Sequence, residues 1–208
     1  MDAAWWVGWL DDWRDALLAA HAADPREGFH DPSVTPGALA SGRLGAPGAG
    51  EDELRALEAR LGVALPPSYR AFLRASDGFV QPGMIVPRLL PAREVEWYRT
   101  AHRDTIDAWA AGAGRDDPVV AALEVALLVS AEETCGSAVY LLDPRDVGAD
   151  GEWAALYFAH WVPGGHRHAS FRALMEHERA TLAAPPPPPP PSRWRTTLDA
   201  LRWIVRRA

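Results

Sequence analysis

Residues 51–79, EDELRALEARLGVALPPSYRAFLRASDGF, read as two short amphipathic helices joined by a fixed corner. Glu51, Asp52 and Glu53 put negative charge on a first turn, where free amides and the positive end of the macrodipole favour it. Gly50 or Glu51 is the expected cap. Leu54, Leu57 and Leu61 fall at i, i+3 and i+7 and form one apolar stripe, and Gly62 follows as a left-handed stop. Pro66 and Pro67 cannot continue that helix but suit the opening of the next, where φ is preset and the missing N–H is not needed. Tyr69, Phe72 and Leu73 form the buried face of the second helix, which Asp77-Gly78 ends. Glu58, at i+4 from Leu54, lies at the edge of the leucine stripe and needs a partner. Arg70, the Tyr69 hydroxyl and the free amides of the second helix are the candidates, and a structural tie is the expected role.

On the N-terminal side, residues 4–22 read as a helix with Trp6, Trp9, Leu10, Trp13, Leu17 and Ala20 on one face and Asp11, Asp12, Arg14 and Asp15 largely opposite. The Pro/Gly-rich stretch up to Gly50 reads as a long loop. Its GAPGAG segment is not a phosphate loop, because no strand precedes it, Pro47 interrupts it and no Lys-Ser/Thr pair follows.

On the C-terminal side, Met84–Leu90 is a short apolar run with Pro87 inside, an edge strand or extended crossing. Thr105–Ala111 reads as a helix stopped by Gly112. Ala126–Ser130, Ala138–Asp143 and Trp153–His160 are β-type runs bounded by turn residues at 134–137, 143–151 and 163–165, which suggests an antiparallel meander. Ser170 caps a helix carrying Phe171, Leu174, Met175 and Leu182 inward, with Glu176 and Glu178 expected to point outward. Helices at both ends and strands between them give an α+β domain.

The 208 residues are enough for one well-buried domain with extensions, and 48% hydrophobic and 24% charged residues describe an ordinary globular chain. The formal net charge of −7 argues against a general nucleic-acid binder. The balance is uneven: residues 192–208 carry five arginines against Asp199, about +4, which leaves about −11 on residues 1–191. The single cysteine, Cys135, excludes an internal disulfide framework and fits a reducing compartment. Without a basic region before WWVGWL or a long apolar run, a cytoplasmic location is expected.

The chain resembles the SUKH superfamily, whose Smi/Knr-type members open with an acidic helix, Leu-Gly, Leu-Pro-Pro, Tyr-Arg, Phe-Leu and a polar residue before Gly. Here these are Glu53–Glu58, Leu61-Gly62, Leu65-Pro66-Pro67, Tyr69-Arg70, Phe72-Leu73 and Asp77-Gly78. Further on, Trp97-Tyr98, Leu128-Val129-Ser130, Leu141-Leu142-Asp143-Pro144, Gly151-Glu152-Trp153, Trp161-Val162-Pro163-Gly164 and Ser170-Phe171 continue the pattern over about residues 44–180. Thr134-Cys135-Gly136 departs from it where an acidic Gly-Asp turn is usual, and His168 where an aromatic residue is common. The resemblance implies a single SUKH-like domain at 51–184, a mostly antiparallel sheet packed by helices. An N-terminal Trp-rich helix (1–24) and a loop (25–50) precede it; a polyproline linker (185–191) and a basic amphipathic tail (192–208) follow.

It also implies binding without catalysis, with no catalytic residue, cofactor or metal. Bacterial SUKH-type domains are immunity proteins of polymorphic and contact-dependent toxin systems, many of them opposing nucleases, so a cognate toxin domain is the expected partner. The alternative is an interaction scaffold of the kind fungal relatives provide in cell-wall signalling. An acidic, aromatic-bearing surface would steer onto a basic nuclease face, and Asp77, Trp97, Asp143, Glu152, Trp153 and Trp161 are the candidate contacts, the acidic ones being the better surface candidates.

Three side features complete the reading. His160, His166 and His168, with His177 and Glu176, are residue types a metal site uses, but solvated loop histidines is the preferred reading. Pro185–Pro191 should form a polyproline II rod of roughly 20 Å. Beyond it Trp194, Leu198, Leu201 and Val205 share one helical face with Arg195, Arg202 and Arg206 on others, which suits folding back onto the acidic domain, an anionic membrane or a second protein equally.

Overall fold

A computed structural model describes residues 3–23, 40–80, 86–132, 138–162 and 164–183. The expectations placed on Cys135, the polyproline run and residues 192–208 lie outside these.

The helix pair forms as its sequence dictates. Helix α2 (Glu51–Leu61) buries Leu54, Leu57 and Leu61, and Glu53 reaches back to accept the Gly50 amide at 2.7 Å. Gly62 closes it at φ 74°, a left-handed conformation that a side chain resists. Helix α3 (Pro67–Ala75) opens on the two prolines and buries Tyr69, Phe72 and Leu73. Glu58 is the tie: one oxygen accepts the Leu65 amide and the Arg70 Nε, both at 3.1 Å.

The GAPGAG segment is a stitch along the end of α3. The Ala49 amide donates to Leu73 O at 2.8 Å, and the Ser76 hydroxyl meets Ala46 O and Gly78 O at 3.1 and 2.6 Å. A Cβ on Gly48 would stand 1.9 Å from Arg74 O, so only glycine admits this approach.

Short strands β1 (Phe79–Val80) and β2 (Arg88–Leu89) pair with each other. The main sheet has β3 (Glu96–Trp97), β4 (Leu127–Leu128), β5 (Ala138–Val147), β6 (Trp153–Ala159) and β7 (His166–His168) in sequential antiparallel order. Between β3 and β4 run helices α4 (Tyr98–Ala101), α5 (Arg103–Ala113) and α6 (Pro118–Leu123), the last capped by Asp117. The meander is therefore longer than expected, because the His166–His168 segment pairs with β6 as an edge strand instead of forming a loop.

Every residue of β6, WAALYFA, is buried, which requires cover on both faces of the sheet. On one face Tyr140 and Tyr157, opposite each other in register, lie beneath helix α7 (Phe171–Ala183). Helix α1 (Ala3–Ala23) joins α3 and α7 there: the Trp6 ring meets Phe72 at 5.6 Å and Phe171 at 5.5 Å, and Trp9 stacks on Trp13 at 5.1 Å. Arg172 lies 4.1 Å over Trp5, and Arg179 pairs with Asp12. On the other face Phe158 packs against Tyr98 and Trp109, from α4 and α5.

Helix α7 corrects one expectation. Glu176 is exposed and paired with Arg172, but Glu178 is buried at 6% exposure. Phe171, Leu174 and Glu178 fall at i, i+3 and i+7, so position 178 lies on the inner stripe whatever residue occupies it.

Candidate partner-binding surface

Four of the six candidate contacts hold the fold together. Glu152, buried, accepts the Ser68 amide at 2.8 Å with one oxygen and the Ser68 hydroxyl at 2.6 Å with the other. Ser68 is the second residue of α3, whose N-cap Pro66 offers no side-chain acceptor. A carboxylate 84 residues away therefore caps this helix. Asp143 is 1% exposed. Burial alone would raise its carboxyl, but the hydrogen bonds from the Arg145 side chain and amide, with the charges of Arg145 and Arg167, outweigh this and hold it below the ordinary range. Asp77 accepts the Ala92 amide at 2.6 Å, and Trp153 is buried. Asp143, Glu152 and Trp153 are thus interior rather than surface residues. An acid directly after Leu-Leu, or one between Gly and Trp, reads the same way in sequence whether it faces water or caps a distant helix.

Trp97 and Trp161 are half-buried. Trp97 stands on edge strand β3 with the Arg99 guanidinium 5.8 Å from its ring, and Trp161 follows β6 with its Nε1 buried and without a partner among the described residues.

The open surface lies on the α4–α5 side. A polar cleft of about 430 Å³ has Leu90, Leu128 and Ala131 among its lining, and Arg60, Arg88, Glu94, Glu96, His102 and Glu132 around it. Its wall at 92–95 is fixed by Arg60, which donates to Ala92 O and Val95 O at 2.9 and 2.8 Å, and by the Asp77–Ala92 bond. An apolar cleft of about 600 Å³ runs along α5, lined by Asp104, Thr105, Ala108, Trp109, Gly112, Ala113 and His160. Glu132 links the two, 3.4 Å from His102 Nδ1 and 3.9 Å from His160 Nε2. A smaller cleft of about 180 Å³ lies between α1 and residues 42–46.

Charge separates the two sides. On the α1–α7 side Arg14, Arg172 and Arg179 are matched with Asp11, Asp15, Glu176 and Asp12. Glu96 lines the polar cleft and Asp104 the apolar one, and neither forms an ion pair among the described residues; Asp107, outside both clefts, lies near Arg103. Fixed negative charge there is available to a basic surface. Sequence reasoning passed over these residues, although Asp104 and Asp107 at i, i+3 beside small residues on an otherwise apolar helix were legible.

His160 is an exposed turn residue, as expected, but the other histidines are not in a solvated loop. His166 and His168 sit in β7 facing α7, where His168 meets His177 at 4.9 Å. Burial, then the charges of His177 and His166, pushes His168 down to about 4. Among the described residues no group of three or more His, Cys, Asp or Glu is placed to hold a metal ion, and no helix is long and apolar enough to cross a membrane.

Comparison with curated proteins returns no match. The family model described as SMI1 / KNR4 family (SUKH-1) matches residues 48–176, which runs from the stitch beside α3 to the middle of α7 and takes in Glu58, Glu152, Asp143 and both α5 clefts. The chain belongs to the SMI1/KNR4 (SUKH-1) family.

Proposed function

We propose that the protein is a non-catalytic immunity protein that binds a cognate toxin domain, a nuclease in the most direct reading, and occludes its active site. Family membership carries this proposal, since the family is known for toxin immunity. The geometry supports the α4–α5 side as the contact face. It offers two adjoining clefts, a half-buried tryptophan at the sheet edge and two lining carboxylates, Glu96 and Asp104, outside any ion pair among the described residues. A basic phosphate-binding face would meet Glu96, Asp104 and Asp107 by electrostatic steering and bury apolar groups against Trp97 and Trp109. Of the six residues chosen from sequence, Trp97 is the one kept at this interface; Asp77 shapes its wall. The working location is the cytoplasm, where a toxin delivered into the cell would act.

The test is co-expression of this chain with the C-terminal toxin domain of a neighbouring gene. Survival that depends on this chain, with a complex on sizing whose affinity falls as salt rises, is the expected result. Absence of both rescue and complex would move the reading to a regulatory scaffold.

A further inference from the structure

We propose that the apolar cleft along α5 is a docking groove for the chain's own segment Trp194–Val205. The groove belongs to the face that the proposed function gives to a toxin, so a toxin would displace the segment on binding; the docking itself does not depend on the identity of any toxin.

The groove is defined by what α5 leaves uncovered. Ile106 and Ala110 turn inward, and Trp109 leans on Phe158. Ala108, Gly112 and Ala113, with the free side of Trp109, remain as a shallow apolar trough. Small side chains let another helix approach closely, and Gly112 has nothing within 4 Å of its missing Cβ. Asp104 stands at one end of the trough and His160 beside it.

Residues 192–208 have the complementary chemistry. Trp194, Leu198, Leu201 and Val205 recur at i, i+4, i+7 and i+11, and Arg195, Arg202 and Arg206 flank that stripe. The segment carries about +4 and the rest of the chain about −11, so apolar stripe and charge point to the same groove.

Topology brings the two within reach. Helix α7 begins three residues after His168, which pairs with Ala155, and at Glu178 it has come to Tyr157. It therefore runs in the direction of β6, and its last turn lies toward the sheet end that carries His160, a lining residue of the groove. Seven prolines span roughly 20 Å, enough to pass from one face of a sheet to the other around that end. A short linker gives an effective concentration on the order of 1 mM. A segment with an intrinsic Kd of about 100 μM would then be docked about 90% of the time.

The experiment is hydrogen exchange on α5 in the full chain and in a chain ending at Ala184, which retains all the described packing. Removing the segment should speed exchange across residues 108–113 roughly tenfold, and a synthetic 192–208 peptide at several hundred micromolar should restore protection. Gly112→Arg, whose Cβ would meet nothing within 4 Å and whose side chain would project over the trough, should reproduce the loss within the full chain, as should Leu198→Asp with Leu201→Asp. Unchanged α5 exchange on deletion would overturn the proposal. So would protection that grows with protein concentration alongside a dimer, which would place the segment on a second copy. Segment-dependent binding to phosphatidylserine vesicles with α5 exchange indifferent to the deletion would also overturn it.

Discussion

Both faces of the sheet are covered by helices, yet one is closed and the other open. On the α1–α3–α7 side Trp6, Phe72, Tyr69 and Phe171 interlock with ring centroids 5.0–6.1 Å apart. On the α4–α5 side Phe158 is covered by Tyr98 and Trp109, and the trough along α5 is lined mainly by small residues, with Asp104 at its rim and Arg103 exposed at the start of the helix. An aromatic stripe at helical spacing seals a face, whereas a stripe of Ala and Gly leaves a trough. The contrast places the aromatic lock on one side and leaves open the side where the proposed function puts recognition, and it can be broken experimentally at several levels.

The largest effect should come from Trp6→Ala. Removing a fully buried indole costs about 3–5 kcal/mol, and in a chain of this size thermal melting should fall by roughly 10 °C or more. A fall of only a degree or two would mean that α1 is peripheral to the closed face.

Next comes Glu152→Ala, which strands the amide and hydroxyl of Ser68 and should cost about 2–3 kcal/mol in a urea or thermal melt. Glu152→Gln keeps one acceptor and should cost less. If the alanine variant lost partner binding at unchanged stability, Glu152 would belong to the interface rather than to α3.

A third effect concerns pH on the closed side. Burial pushes Glu178 up to about 7, partly opposed by Tyr140, while His168 is pushed down to about 4. Facing Glu178 are Tyr140 on β5 and Tyr157 on β6, while His166 and His168 on β7 face His177 of α7. Because the folded Glu178 holds its proton more tightly than the unfolded chain, its contribution is present below about 4.5 and is lost as pH rises toward 7. His168 has the opposite sign, since its folded form gives up the proton more readily, so its contribution grows from pH 4 to 6.5. The two slopes oppose each other in the intact protein. Glu178→Gln should leave stability rising with pH over that window, and His168→Asn should leave it falling, by up to about 1 kcal/mol per pH unit from Glu178. Parallel pH profiles for both variants and the parent would refute the pairing.

The smallest effect on stability should be on the open side. Asp104→Arg with Asp107→Arg should move the melting temperature by no more than about 2 °C, because exposed positions without partners contribute little.

Much of the fold was legible in the sequence because its signals are local. The Leu54-Leu57-Leu61 stripe, the Gly62 stop, the double proline and the tryptophan periodicity of α1 each act through neighbouring residues, and each formed the element expected. The edge strand His166–His168 was hidden because three residues carry no alternation worth reading. Its pairing comes from β6. The candidate site was legible only in part. Asp143 and Glu152 announced a functional acid, but their partners are Arg145 and Arg167 in one case and Ser68 in the other, and no local pattern reveals a contact across 84 residues. The clefts beside α5 are formed by what is small or missing, which a reading of conspicuous residues overlooks.

The most direct test of the division between the two faces is rescue and complex formation by a variant carrying Glu96→Arg, Asp104→Arg and Asp107→Arg, with its melting temperature measured alongside. Loss of rescue and of the complex at a parental melting temperature is the predicted result. Full rescue with an intact complex would contradict it, and would place recognition away from the open face of the sheet.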